Sequence, residues 1–595
     1  MARKTYQTTD SLLSGFKRLY AHFSARRRRQ LTLVMALMLV GAIAELATLG
    51  TVLPFLALIA DPSRTTAYPQ LQGLFAVLGW TDPDRILIPA TFLFVVVALA
   101  AGAIRVLLVW ASQKFVFRLG HDLGIDVYRR TLYQPYPYHV ARNTSEVIAG
   151  IDKVQVVIFS MLLPLVLGVI AAVISIFILG ALIAIDSSIA LVAIAGFGVM
   201  YLGVTFATRR RLRTNSLVIA NAQSRRIRTV QEGLGGIREV LINEAQPVYL
   251  DKFKRVDLAY RDAQAVNSFI GAAPRFAIEA WSMVLFACLA LLLSGSPGGL
   301  GAELPILGAL ALGAQRLLPS LQLVFSGWTH MAGNRQVLFD TLSILELPIH
   351  ARHTLPENCT PMPFDREISL HGVSFRYGGN DAPALSEVNL TIERGARVGF
   401  IGKSGSGKST ITDLLMGLLE PTVGEIRIDG TPLTAANVRR WQVQLAHVPQ
   451  AIYLADTSIA ENIALGVSQQ HIDWDCVQDA ARRAALAEFV ASLPQGYRTM
   501  VGERGIRLSG GQRQRIGIAR AFYRQARVLV FDEATSALDD ETEAAVLEAI
   551  VNIERDITVL IIAHRLSTVA MCDRIIRLDA GRVVAESGSE ALVVA

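Results

Sequence analysis

The feature that most constrains this sequence is a series of long apolar runs in its first half. About 20 consecutive apolar residues are needed for a helix to cross a bilayer. The runs lie at residues 31–60, 86–117, 156–185, 189–207, 269–293 and 304–324. They predict an all-α membrane domain of six helices. Arg316, Pro319 and Gln322 interrupt the last run, so a buried amphipathic helix stays open as its alternative.

Basic residues predict the orientation of these helices. Lys and Arg are frequent before the first run and at residues 118–153 and 209–261, while the turn at Ser187 and the break at 294–301 contain none. Cytoplasmic loops carry the excess of positive charge. We therefore expect residues 1–30 and the second half of the chain to be cytoplasmic. The net charge of +7 follows the membrane flanks, which argues against a nucleic-acid partner.

Past residue 347 the pattern changes to that of a soluble α/β domain. Short β-rich runs, such as 398–401, 528–531 and 558–562, alternate with helical sequence. A proline-rich stretch precedes them and is typical of a linker. We predict a membrane domain at 31–346, a linker at 347–366 and an α/β domain at 367–595.

A phosphate-binding loop follows the first of these strands. The segment GKSGSGKST satisfies the P-loop pattern and leads into an apolar helix. Its glycines let backbone amides approach phosphate oxygens, Lys408 is expected to reach the β and γ phosphates, and Ser409 to ligate Mg²⁺. The predicted ATP-binding residues here are Gly402, Ser404, Gly405, Ser406, Gly407, Lys408, Ser409 and Thr410.

A second strand, 528–531, ends in two carboxylates, Asp532 and Glu533. In an ATPase, Asp532 would hold Mg²⁺ through its hydration shell, and Glu533 would orient or deprotonate the attacking water. Many strands end in acidic residues at a solvated turn. The prediction therefore depends on the P-loop in the same domain.

The segment LSGGQ, formed by Leu508, Ser509, Gly510, Gly511 and Gln512, lies between these two motifs. Together, in this order, the three motifs resemble those of ATP-binding cassette (ABC) transporters. The resemblance implies that Ser509 and the glycines grip the γ-phosphate of ATP held by a partner's P-loop, as a helix N-terminus binds an anion. The partner would be a second copy of the chain or a close paralogue.

Other positions match the same family one by one. By resemblance, Tyr377 would stack on adenine, Gln450 would contact Mg²⁺ and the attacking water, and His564 would contact the γ-phosphate. The resemblance also implies a D-loop at Ser536, Ala537, Leu538 and Asp539, an exporter-specific segment around Glu503, and coupling segments at 133–139 and 231–239.

Fusion of six helices to one following cassette resembles ABC exporters of the type IV fold. The stretches AELATLGTVLPFLALIADP, AAPRFAIEAW and LGAQRLLPS are similar to bacterial flippases of lipid-linked oligosaccharides. The resemblance implies a homodimer in the bacterial inner membrane that uses ATP and Mg²⁺ to move a polyisoprenyl-pyrophosphate oligosaccharide to the outer face. Export of a peptide, a lipid A-like lipid or a drug is the alternative.

Ionisable residues within or beside apolar runs are candidates for the substrate path, because charge is costly in lipid. They are Glu45, Arg105, Arg275, Glu279 and Arg316. The arginines could contact a pyrophosphate through bidentate hydrogen bonds. Alternatively, the glutamates pair with arginines and lock helices together, or the arginines snorkel to the interface. Both interpretations remain open at this point.

Overall fold

A computed structural model describes residues 11–60, 87–185, 187–294, 299–349, 360–378, 382–532, 543–544, 548, 556–563 and 569–588. The chain divides into two compact units. The first comprises Met1–Gln134 and Ala141–Pro348, and the second comprises Pro135–Val140 and Ile349–Ala595.

The first unit is helical. Its helices, in chain order, are α1 (Leu12–Ala21), α2 (Ala25–Ala60), α3 (Leu87–Leu132), α5 (Thr144–Val157), α6 (Leu163–Ile185), α7 (Ser187–Gly235), α8 (Ile237–Ile242), α9 (Gln246–Ser294), α10 (Gly299–Gly333) and α11 (Arg335–Leu345). A π-helical turn, Ile158–Leu162, joins α5 to α6. The short helix α4 (Tyr136–Val140) belongs to the second unit.

Five of the six predicted apolar runs each lie within one long helix, apart from Ile86, which is outside the described residues. The run 156–185 begins at the end of α5, crosses the π-helical turn and continues through α6. Among the described residues, Ala25–Thr48, Ala90–Leu132 and Thr144–Ala184 are long and apolar enough to cross a membrane. The helices continue well past the apolar runs, as α3 does to Leu132. Their polar ends stay helical because they bury apolar side chains against neighbouring helices, as Val127 of α3 and Ile219 of α7 do.

Close helix contact in this unit depends on glycine at one crossing. A Cβ atom added at Gly327 of α10 would lie 2.8 Å from the carbonyl oxygen of Pro164 in α6. Backbones approach this closely only where a side chain is missing. We therefore attribute the tight α6–α10 packing to Gly327.

The second unit is an α/β domain with two sheets. Its strands are β1 (Glu367–Phe375), β2 (Leu385–Glu393), β3 (Arg397–Ile401), β4 (Val423–Ile428), β5 (Thr431–Pro432), β6 (Leu445–Val448), β7 (Val528–Asp532), β8 (Thr558–Ile562), β9 (Arg574–Asp579) and β10 (Arg582–Gly588). Four strands form the sheet β2-β1-β4-β5, and six form the sheet β10-β9-β3-β8-β7-β6. In the larger sheet, β6, β7, β8, β3 and β9 run parallel.

The second unit also contains six α-helices besides α4 among its described residues. They are α12 (Lys408–Leu415), α13 (Val438–Gln442), α14 (Ile459–Ile463), α15 (Trp474–Arg483), α16 (Ala487–Ser492) and α17 (Gly510–Tyr523). Along β7, Leu529 and Phe531 face one apolar cluster, whereas Val528 and Val530 face another. Burial on both faces explains why these parallel strands are almost wholly apolar. The predicted fold class, a helical membrane domain followed by an α/β cassette with a helical subdomain, is confirmed.

Candidate functional site

The P-loop connects β3 to α12, as the sequence predicted. Gly402 has φ +151°, and a Cβ atom there would lie 2.2 Å from the carbonyl oxygen of Leu578. Gly407 has φ +102°, and its added Cβ would lie 2.7 Å from Leu385. Any larger residue would therefore strain the loop and push its backbone outward. The glycines keep the loop tight enough for its amides to surround a phosphate.

Polar groups of the loop fit an anion. The Lys408 amine donates to the carbonyl oxygens of Gly402 at 2.7 Å and Lys403 at 3.0 Å, and its side chain is largely buried. The buried Ser406 hydroxyl has no hydrogen-bond partner among the described residues. A buried hydroxyl without a partner costs free energy unless a ligand satisfies it. The loop therefore has a cation and a spare hydrogen-bonding group, which is what a triphosphate requires.

The parallel sheet brings the acidic strand end to the same edge. Phe400 of β3 is aligned with Ile562 of β8, and Ile562 is aligned with Asp532 of β7. Because adjacent strands lie about 4.8 Å apart, Asp532 is about 10 Å across the sheet from the P-loop strand. Ligands of open α/β sheets bind at this carboxyl edge. Asp532 and Ser409 are oxygen donors of the kind that Mg²⁺ prefers.

The other predicted catalytic residues follow strands at the same edge. Val448 of β6 is aligned with Phe531, so Gln450 comes two residues beyond this edge, where it is exposed. Glu533 directly follows β7, and His564 comes two residues after β8. Glu533, His564 and the D-loop residues Ser536, Ala537, Leu538 and Asp539 lie outside the described residues.

The LSGGQ segment begins α17. Ser509 is the N-cap: its hydroxyl accepts from the amide of Gln512 at 3.2 Å, while the Gln512 side chain accepts from the Ser509 amide at 2.8 Å. This capping box fixes the first turn of the helix. The amides of Gly510 and Gly511 are then left at the helix N-terminus without side chains that would shield them, which suits binding of an anion.

Two aromatic residues and one acid lie near the P-loop. Their proximity to one another was not predicted from the sequence. The hydroxyl groups of Tyr377 and Thr410 are 3.3 Å apart, and the Tyr377 ring meets Phe375 edge-on at 4.8 Å. Burial raises the pKa of Tyr136, in α4, and the nearby Asp413 and Tyr377 raise it further. Asp413 lies one turn after Ser409 on α12, and this spacing was the only sequence signal for it.

Asp413 gives a pH-dependent prediction. Burial, with a contribution from Asp532, raises its pKa from 3.8 to about 6. The folded protein therefore favours the neutral form of the Asp413 carboxyl. Its contribution to the free energy of unfolding is fully present below pH 3.8 and is lost as pH rises through about 6, where the carboxyl becomes charged. Asp413→Asn should stabilise the nucleotide-free protein by about 1 kcal/mol above pH 7, after allowance for partial exposure, and have no effect near pH 4.

Thermal unfolding of the nucleotide-free protein across this pH range measures the effect. Asp479→Asn is the matched control, because Asp479 is an exposed acid of the helical subdomain paired with Arg482. A gain from Asp413→Asn that is the same at every pH, or that the control reproduces, would contradict the assignment.

In the first unit, the structure pairs all five candidate substrate-path charges. The Glu45 carboxylate, 5% exposed, accepts from both Arg105 and Arg316, whose side chains are 47% and 33% exposed. Arg275 donates to Glu279 at 2.7 Å, one turn along α9 and on its exposed surface. Glu45 therefore joins α2, α3 and α10, which supports the helix-locking interpretation for this residue.

A P-loop at a parallel sheet edge, an acidic strand end beside it and long apolar helices in the same chain define a membrane-bound P-loop ATPase. Comparisons with known proteins are more specific. Residues 32–300 match the family model "ABC transporter transmembrane region", and residues 385–536 match "ABC transporter". The chain belongs to the ABC transporter family.

Curated relatives are named ATP-dependent lipid A-core flippases. The one from Alkalilimnicola ehrlichii is 36% identical over 66% of each chain, and the one from Francisella novicida is 30% identical over 80% of this chain and 81% of its own length. A third, from Saccharophagus degradans, is 45% identical over 38% of each chain. The chain thus spans about two thirds of the first of these relatives and less than half of the third.

A solved structure of a bacterial Atm1-family ABC exporter with ATP bound is similar over the whole fold. Its TM-score is 0.74 at 25% identity, with 96% of this chain and 97% of that chain covered. The predicted type IV exporter fold is therefore confirmed. At the level of the family, so is the prediction of an ATP-hydrolysing membrane transporter.

Proposed function

We propose that the chain is one half of a homodimeric, ATP-driven flippase of the bacterial inner membrane. It moves an amphipathic, phosphate-bearing lipid from the cytoplasmic face to the outer face. The observation that carries this proposal is the union in one chain of the ABC membrane region with a cassette that has both a P-loop and a capped signature helix. A close paralogue is the alternative partner.

Two substrates of the same chemistry compete. The similarity of the first-half stretches to flippases of lipid-linked oligosaccharides favours a polyisoprenyl-pyrophosphate oligosaccharide, while the names of the curated relatives favour a lipid A-like glycolipid. Both carry phosphate on a lipid. Each guanidinium group has five N–H donors, and Glu45 can accept only some of those of Arg105 and Arg316. Both arginine side chains remain partly exposed. Their net positive charge suits a phosphate headgroup.

The need for a second chain has two supports in the described residues. The glycine amides of the signature helix can bind a phosphate, as can the P-loop, so each chain contributes two separate anion-binding elements. In addition, the end of the polar extension of α7 and the short helix α8 that follows it form an apolar tip, where Leu234, Leu241 and Ile242 are 66%, 56% and 74% exposed. Exposed apolar residues at the end of a polar extension are typical of an interface. We assign this tip to contact with the second copy.

In the proposed cycle, ATP joins the P-loop of one cassette to the signature helix of the other. Mg²⁺, held by Ser409, Asp532 and Gln450, would neutralise phosphate charge. Glu533 orients or deprotonates the attacking water, and His564 contacts the γ-phosphate. ATP favours the outward-facing state only by its higher affinity for the closed dimer, and hydrolysis removes that preference.

A flipping assay in proteoliposomes tests this function. The substrates are a fluorescent polyisoprenyl-pyrophosphate oligosaccharide, a lipid A-core glycolipid and an apolar peptide, each with and without ATP. We expect ATP-dependent movement and ATPase stimulation with a phosphate-bearing glycolipid, and none in the Glu533→Gln control. Transport of the peptide with no response to either glycolipid would refute the flippase proposal.

A further inference from the structure

A cluster of four arginines on α7 is used by neither the ATP site nor the candidate substrate path. Arg209, Arg210, Arg211 and Arg213 fall within five residues, and all four side chains are exposed. The face of α7 opposite the cluster is held in the unit, where Leu212 and Ser216 are buried and Asn215 donates to Asn267 at 2.8 Å. The arginine cluster is therefore displayed by a fixed helix.

The exposed surface of α7 changes along its length from apolar to basic. Leu202 and Phe206 are 59% and 71% exposed, and Phe206 precedes Arg209 and Arg210 by three and four residues. At this spacing the side chains share one face. With a rise of 1.5 Å per residue, the step from Phe206 to Arg213 is about 10 Å, which is enough to cross one headgroup layer. The arginine cluster thus follows an apolar surface suited to lipid tails.

Acidic residues are absent from the stretch of α7 around the arginine cluster. No Asp or Glu occurs between Ser187 and Gln231. In the part of the chain that the structure describes, Arg209, Arg210 and Arg211 form no ion pair. Further along the same helix the arginines are paired: Arg226 with Asp257 at 2.8 Å, and Arg228 with Glu232 at 2.7 Å.

We propose that the arginine cluster binds the phosphate headgroups of anionic phospholipids in the cytoplasmic leaflet. Guanidinium groups form bidentate hydrogen bonds with phosphate, and each basic residue near an anionic leaflet adds to the attraction. The apolar surface beside the arginine cluster favours a lipid as the ligand over a soluble phosphate or a nucleic acid. This site is separate from the transported substrate and does not require turnover.

Lipid binding to the purified full-length protein tests the proposal. Phosphatidylglycerol and phosphatidylcholine are titrated in a neutral detergent without ATP, and bound lipid is counted by native mass spectrometry. Replacing all four arginines of the cluster with Gln should weaken phosphatidylglycerol binding at least about ten-fold and leave phosphatidylcholine binding unchanged. Replacing them with Lys should retain most of the binding, because the attraction of positive charge to an anionic headgroup remains.

The matched control removes four exposed arginines from the cassette, Arg482, Arg498, Arg577 and Arg582, each replaced with Gln. It should bind phosphatidylglycerol as the wild type does. If the four-Gln variant of the cluster does not fold, Arg210→Gln is compared with Arg210→Lys, and only the first should lose affinity. Unchanged phosphatidylglycerol affinity in the Gln variants, equal loss in the control, or full competition by inorganic phosphate would overturn the proposal. Failure of glycolipid transport would not affect this result.

Discussion

Glu533→Gln is expected to leave ATP binding intact and to lower the ATPase rate by at least about 100-fold. Gln keeps the size of the side chain and one hydrogen-bond acceptor but cannot accept a proton from water, and general-base catalysis contributes factors of about 10² to 10⁴. ATP affinity is measured with a fluorescent nucleotide, and turnover by phosphate release from the protein in lipid.

Glu425→Gln is the matched control for this measurement. Glu425 is a glutamate of the same cassette that pairs with Arg427 on β4 and is 42% exposed. Its replacement should change turnover less than two-fold. Hydrolysis at the wild-type rate in Glu533→Gln would exclude the proposed role of Glu533.

The second large effect is on stability. Glu45→Ala should lower the free energy of unfolding by about 3 kcal/mol, because two arginines lose the buried carboxylate that accepts from both. The melting temperature in detergent should fall by about 5 °C or more. Replacing Glu45, Arg105 and Arg316 together with Leu should recover most of this loss, since apolar groups can replace an ion cluster centred on a buried carboxylate.

Glu279→Ala provides the comparison for Glu45→Ala. Glu279 also pairs with an arginine beside an apolar run, but both side chains are much more exposed. Its melting temperature should stay close to that of the wild type. Equal destabilisation by Glu45→Ala and Glu279→Ala would contradict the helix-locking role of Glu45.

The local structure of the candidate nucleotide site could be predicted from sequence because its parts are close together in the chain. The P-loop needs a strand, a glycine-rich turn and a helix in consecutive order, and the segment from β3 to α12 has that order. Ser509 and Gln512 are three residues apart, so the capping box is also visible as a pattern. In contrast, the proximity of Tyr136 to Asp413 depends on α4 belonging to the second unit, which no local pattern encodes.

The membrane unit was predictable in outline but not in its contacts. Apolar runs report only the part of a helix that lies in lipid, so the continuation of α3 to Leu132 was missed. Glu45 is 60 residues from Arg105 and 271 from Arg316, so the pairing of these charges depends on tertiary packing. The sequence therefore left cargo contact and helix locking open, and the structure favours locking for Glu45.

The central claim is that each ATP lies between two chains, and mixed dimers test it most directly. In one dimer, a Lys408→Ala chain pairs with a Ser509→Arg chain; in the other, a chain with both changes pairs with a wild-type chain. If the sites are shared, the first dimer retains one intact site and measurable ATPase activity, while the second retains none. Activity in the second dimer and not in the first would show that each chain closes its own site, contrary to this account.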